Sequence, residues 1–202
     1  GARHPTPAGR VWAALAPLQA HAGRLHVDPA RLVLAGDSAG SHIGAQLAAL
    51  VTTPGYANRL GVAPTIGPAQ LRGLVLCCGV YDLALLGPDP RFRDFTLATG
   101  WAYSGRRRFR EDRDFLDVTP IADHVAPAWP PTFITAGNAD PLLPQSVALA
   151  EALGGAVVAT DTLLYPAAHA PALGHEYQFD LSTHPARIAF ARMIAFLAKN
   201  AR

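Results

Sequence analysis

Short unbroken apolar runs alternate along the chain with stretches whose apolar residues recur every three or four positions. Val11, Leu15, Leu18, Ala22 and Leu25 fall at helical spacing, which predicts a helix over roughly residues 8–24, kinked at Pro17. Asp28-Pro29 then turns the chain into Leu32-Val33-Leu34-Ala35, read as a strand over 31–36. A helix follows from His42 to about Val51 and stops at Thr53-Pro54-Gly55, after which a Gly/Pro-rich loop is expected. Three further apolar runs, near 71–78, 132–136 and 160–165, read as strands, and helices are expected over 145–153 and 185–199, the second with Pro185 in its first turn. Runs that stay apolar without alternating suit strands buried on both faces, so strands and helices in this order predict an α/β fold with a parallel sheet covered on both sides. Right-handed connections between neighbours predict the four strands side by side in chain order, the first at an open edge. No repeat, linker or low-complexity tract interrupts the pattern, so residues 1–202 read as a single domain. Within it, Tyr81 to Pro131 forms an insertion rich in aromatics and charge, expected to act as a lid or pocket wall.

Composition narrows the function classes. With 202 residues, half of them hydrophobic, 16% charged and a formal net charge of +2, the chain can bury a sizeable core and carries no field suited to nucleic acid. No stretch is long and apolar enough to span a bilayer, and the first residues contain no apolar signal core. Cys77 and Cys78 are adjacent in an expected strand and point to opposite faces, which argues against a disulfide and favours a reducing, cytoplasmic setting. The histidines do not cluster with cysteines or carboxylates at metal spacing, so no metal or cofactor is expected.

Chemistry concentrates in Gly36-Asp37-Ser38-Ala39-Gly40, set between the first strand and its helix. A strand, a Gly-x-Ser-x-Gly turn and a helix form the context of a nucleophile elbow, in which Ser38 is lifted clear of the strand. Side chains at 36 and 40 are both expected to collide with neighbouring backbone, which accounts for the two glycines. A serine hydroxyl needs a base, and the base needs a carboxylate to fix its tautomer. Asp140 follows the third strand and His175 the fourth, which is the required order. His169, on the same loop as His175, is the rival base, while Asp37, Glu176 and Asp180 are weaker candidates for the acid. Arg106-Arg107-Arg108-Phe109-Arg110 precedes Glu111, Asp112 and Asp114 and reads as a salt-bridged solvated segment. Phe95, Trp101 and Tyr103 suit either a core or an acyl pocket.

The serine motif, Gly137-Asn138-Ala139-Asp140-Pro141-Leu142 and His175-Glu176-Tyr177 together resemble the α/β-hydrolase fold in its hormone-sensitive-lipase-like esterase branch. The opening Ala2-Arg3-His4-Pro5-Thr6-Pro7-Ala8 is similar to the segment that follows the fourth strand in that branch. The resemblance implies Ser38 as nucleophile, Asp140 as acid and His175 as general base. Family members also carry a His-Gly-Gly oxyanion motif, which this chain lacks. On that comparison the first strands and the oxyanion loop are missing, leaving the Ala39 N–H as the oxyanion donor and the isolated chain weakly active or inactive. The expected function is hydrolysis of small-molecule, short-chain carboxylic esters through an acyl-enzyme. A non-catalytic relative that binds a small molecule or partner, and an amidase or peptidase with the same triad, are the competing readings. The oligomeric state, homodimer included, is open.

Overall fold

In the computed structural model, which describes residues 2–86 and 93–202, the four apolar runs become four parallel strands. These are β1 (Leu32–Asp37), β2 (Leu71–Cys77), β3 (Thr132–Ala136) and β4 (Thr160–Leu164), lying side by side in that order. Register places Asp37 opposite Cys77, Cys77 opposite Thr135, and Ala136 opposite Leu164, so the strand ends form one rim of the sheet. Among the described residues β1 pairs with β2 alone, which leaves its other edge free.

The helices are α1 (Thr6–Ala20), α2 (Ala22–Leu25), α3 (Ala39–Thr52), α4 (Pro54–Leu60), α5 (Arg93–Ser104), α6 (Arg113–Leu116), α7 (Leu143–Gly155) and α8 (His184–Asn200). Alternation along β2 and β3 sends Leu74, Leu76 and Ile134 into a core with Trp12 of α1, Leu47 and Leu50 of α3 and Leu149 and Leu153 of α7. It sends Val75, Cys77 and Phe133 to the other face, against Phe196 of α8. Each such fully buried apolar side chain contributes roughly 1.5–3 kcal/mol. Both faces are therefore covered, and every residue of β3 is buried.

Three local expectations are corrected. The single helix expected over 8–24 is two pieces, α1 ending at Ala20 and α2 starting at Ala22, with the break at His21; Pro17 lies inside α1, where the His21 N–H still reaches its carbonyl at 3.0 Å. Its buried face is Ala8, Trp12 and Leu15, whereas Leu18 and Leu25 are substantially exposed. The segment after Pro54 is helical, since proline at the first position and glycine in the left-handed conformation at Gly61 suit the two ends of α4.

Residues 87–92 of the 81–131 insertion lie outside the described residues. The described part is built from short helical pieces around a small core of Leu83, Leu86, Phe109 and Phe115. Two of the arginines at 106–110 pair with acids as the charge pattern indicates, Arg106 with Asp112 and Arg108 with Glu111 at 3.5 Å, while Arg110 donates to the Leu86 carbonyl. Arg107 lies 4.7 Å over the Trp101 ring. Phe95 and Trp101 are exposed, while Tyr103 is drawn inward.

Candidate active site

β1 ends at Asp37 and α3 begins at Ala39, so Ser38 alone makes the reversal, with φ 53 and ψ −117. A non-glycine residue at such a φ stores backbone strain, and it persists because the surroundings over-determine it. The Ser38 N–H donates to the Cys77 carbonyl at 2.9 Å, continuing the sheet ladder past the last strand residue. Fully buried Ser41 places its hydroxyl 2.8 Å from the carbonyls of both Gly36 and Cys77 and accepts the Cys77 N–H at 2.9 Å. A Cβ at Gly36 would come within 2.3 Å of the Gly40 carbonyl oxygen, so this glycine is dictated by close backbone approach. The expected collision at Gly40 is corrected, because a Cβ there meets nothing within 4 Å. It points away from the turn rather than into it.

The histidine loop and the acid are held by the segment after β3. A Cβ on Gly137 would lie 2.2 Å from the Leu173 carbonyl oxygen, so the two loops approach backbone to backbone. Asn138 accepts the Leu173 N–H at 2.8 Å and donates to the His169 carbonyl at 3.0 Å, while the Ala139 N–H reaches the Leu173 carbonyl at 2.8 Å. Asp140 has a fully buried side chain; its Oδ1 accepts the Leu142 N–H at 2.8 Å, which leaves Oδ2 for His175.

The structure brings Ser38, His175 and Asp140 together. His175 Nδ1 lies 3.0 Å from Asp140 Oδ2, and Nε2 lies 3.1 Å from Ser38 Oγ. An ionised carboxylate only accepts, so Nδ1 carries the proton and Nε2 is free to accept from the serine hydroxyl. The hydrogen bond to Asp140 is the main reason that the ring's pKa is raised above its ordinary 6.5, against the opposing effect of partial burial. His169 does not approach Ser38; its ring stacks on Tyr165 with centroids 4.6 Å apart. Asp180 bonds the N–H and hydroxyl of Ser182. Glu176, in the left-handed conformation at φ 62, has Oε1 4.0 Å from His175 Nε2, on the solvent side. Asp37 accepts from Gln178 at 2.6 Å, and burial together with the nearby Glu176 carboxyl raises its pKa to about 6.

Sequence reasoning missed Ser41, Asn138 and Gln178, which hold the site without touching the reacting atoms. A hint for Asn138 was its place between Gly137 and Asp140, whereas nothing local marked Gln178. Cys78, Asp140 and His175 place their ligand atoms within 4.8 Å of one another. The buried Cys78 thiol has its pKa raised by burial and aims at Gln178 Oε1, and the His175–Asp140 contact is a hydrogen bond, so this trio is engaged without an ion. A cavity of about 140 Å³ bordered by Tyr81, Leu85, Pro120 and Gln145 lies elsewhere, with none of Ser38, Asp140 and His175 in its lining.

A parallel sheet whose strand turns sharply through serine into a helix, with an acid and a histidine on the loops after later strands, defines the nucleophile-elbow class of α/β proteins. The model of the alpha/beta hydrolase fold family matches residues 1–171, and the chain belongs to that family. The carboxylesterase NlhH of Mycobacterium tuberculosis is 30% identical over 210 aligned positions, covering 97% of this chain. The chain spans about 60% of the length of that curated relative. Esterase B from Lactobacillus rhamnosis shares the fold with a TM-score of 0.72 at 20% identity, over 95% of this chain and 60% of that one. A carboxylesterase from Lactobacillus plantarum does so with a TM-score of 0.71 at 21% identity, over 97% and 68%. No described helix is long and apolar enough to cross a membrane.

Proposed function

We propose that the protein is a serine hydrolase of carboxylic esters, with Ser38 as nucleophile, His175 as general base and acid, and Asp140 as the carboxylate that orients it. The observation that carries this reading is the single ring of His175 within hydrogen-bond reach of both Ser38 Oγ and Asp140 Oδ2. As Ser38 Oγ attacks the ester carbonyl carbon, its proton passes to Nε2 and the C=O electron pair moves onto oxygen. The Ala39 N–H, at the start of α3 where amides lack intrahelical partners, is the oxyanion donor that this chain supplies. Collapse of the tetrahedral intermediate breaks the bond to the alcohol oxygen, which takes the proton from Nε2 and leaves an acyl-serine. Water then repeats the steps, releasing the acid and restoring Ser38.

Small-molecule esters are the substrate class. The carboxylesterase relative supports this reading, and the triad itself needs no cofactor. The described residues of the 81–131 insertion serve as a wall of the acyl pocket: Tyr103 of α5 hydrogen-bonds His42 at 3.1 Å, one helical turn beyond Ser38, which ties the insertion to the nucleophile's helix. The test is hydrolysis of a short-chain aryl ester by the natural full-length protein. Ser38→Ala is expected to reduce kcat by up to about 10⁶. Undiminished hydrolysis by that variant would overturn the assignment.

A further inference from the structure

We infer that Gln178 is a positioning residue for the reaction proposed above, its buried carboxamide locking the turn that carries His175 onto the ends of the two strands beside Ser38. The inference rests on that reading of the site. Gln178 is 2% exposed and lies in the single 3-10 turn, Tyr177–Phe179, that follows His175 and Glu176. Its Nε2 donates to Asp37 Oδ1 at 2.6 Å, and its Oε1 accepts from Cys78 Sγ at 3.4 Å. Asp37 is the last residue of β1 and immediately precedes the nucleophile, whereas Cys78 directly follows β2 and itself has φ 50. The carboxylate fixes which pole of the amide faces Asp37, since it only accepts.

One side chain thus spans two adjacent strand ends with a donor on one side and an acceptor on the other, a pairing that neither a carboxylate nor an ammonium can supply. Asp140 holds His175 from Nδ1 at 3.0 Å, and that hydrogen bond keeps its length only while the backbone carrying the ring stays in place. The contacts of Asn138 and Ala139 with Leu173 fix the loop before His175, and the turn at 177–179 fixes it after, so the two together set the distance from Nε2 to Ser38. The groups around the amide are Asp37 from β1, Cys78 after β2 with Asp140 beside it, and His175 and Glu176 from the same loop. α8 adds apolar Ala189 beside Tyr177. A negative charge at position 178 would therefore confront Asp37, with no cation among these groups except a protonated His175.

The experiment compares kcat and KM of the natural full-length protein with those of Gln178→Leu and Gln178→Glu across pH, on a short-chain aryl ester. Gln178→Leu is expected to lower kcat by about 10- to 100-fold at every pH with little change in KM, because it misplaces the base without touching the substrate. Gln178→Glu is expected to lose as much above neutrality and to recover toward the parent as pH falls, because a protonated carboxyl donates to Asp37 and accepts from Cys78 as the amide does. Loss of packing alone predicts no such pH-dependent recovery. A parent-like kcat in Gln178→Leu, or a Gln178→Glu-to-parent ratio flat with pH, overturns the inference. A second readout is independent of turnover: the NMR titration of the imidazole resonance that His175→Ala removes should move down toward 6.5 in folded Gln178→Leu. An unmoved titration counts against the clamp. If the parent hydrolyses no ester, the hydrolase reading falls, and this titration still decides the role of Gln178.

Discussion

In the proposed reaction only the neutral ring of His175 can accept the Ser38 proton. The Asp140 hydrogen bond stabilises the protonated ring and holds its pKa above 6.5. Activity should therefore fall as pH drops through a midpoint above 6.5, and kcat/KM against pH measures it. Asp140→Asn should lower the plateau by about 10⁴ through loss of the tautomer, and should also move the midpoint down. An acid limb that stays in place in Asp140→Asn would contradict the role given to Asp140. Spacing and order made Ser38, Asp140 and His175 legible in the sequence, since each follows an apolar run that could be read as a strand. Gln178 and Asn138 were not legible. Their roles exist only once distant loops meet, and a lone amide has no pattern along the chain.

The elements explain why two glycines of one motif behave differently. Gly36 faces the backbone of the first turn of α3, whereas Gly40 lies in that turn with open space where a Cβ would go. Gly40→Ala should keep stability within about 1 kcal/mol, as alanine suits a helix better than glycine, while Gly36→Ala should destabilise by about 1–3 kcal/mol or more. Denaturant melts of the two variants check this, and equal losses would contradict it. Sequence reasoning treated both as obligatory because a pentapeptide does not say which way each Cβ points.

Helix α3, which begins directly after Ser38, also carries a buried polar chain that the sequence did not announce. His42 Nδ1 lies 2.9 Å from the Val80 carbonyl, so it holds the proton, and Nε2 accepts from Tyr103. Burial depresses the pKa of His42 to about 4, and His4, whose Nδ1 is 3.1 Å from the same Tyr103 hydroxyl, is likewise lowered to about 4. Both folded values lie below the ordinary 6.5, so between these limits the unfolded chain binds protons that the folded one does not. Stability is full above 6.5 and is lost as pH falls toward 4, by up to about 3 kcal/mol for one ring. His42→Gln should be less stable at neutral pH yet lose less between neutrality and pH 4. Parallel Tm curves for parent and variant would show that His42 does not titrate on unfolding.

For the whole molecule, the four parallel strands in chain order and the helices on both faces were readable because buried strands leave continuous apolar runs, which survive any detail of loop structure. What the loops do was less readable: the apolar spacing past Pro54 is too short to mark α4, and the insertion's inner packing depends on contacts with α3. The sheet's rim sets the ends of β1, β3 and β4 so that their loops bring Ser38, Asp140 and His175 within hydrogen-bond reach of one another. On the proposed mechanism Ser38 is a nucleophile primed by His175. The most direct test is labelling of the natural full-length protein with a fluorophosphonate, followed by peptide mass analysis. Covalent modification should fall on Ser38 and disappear in folded His175→Ala, whereas a folded protein that takes no label at Ser38, or labels equally well without His175, would contradict the account.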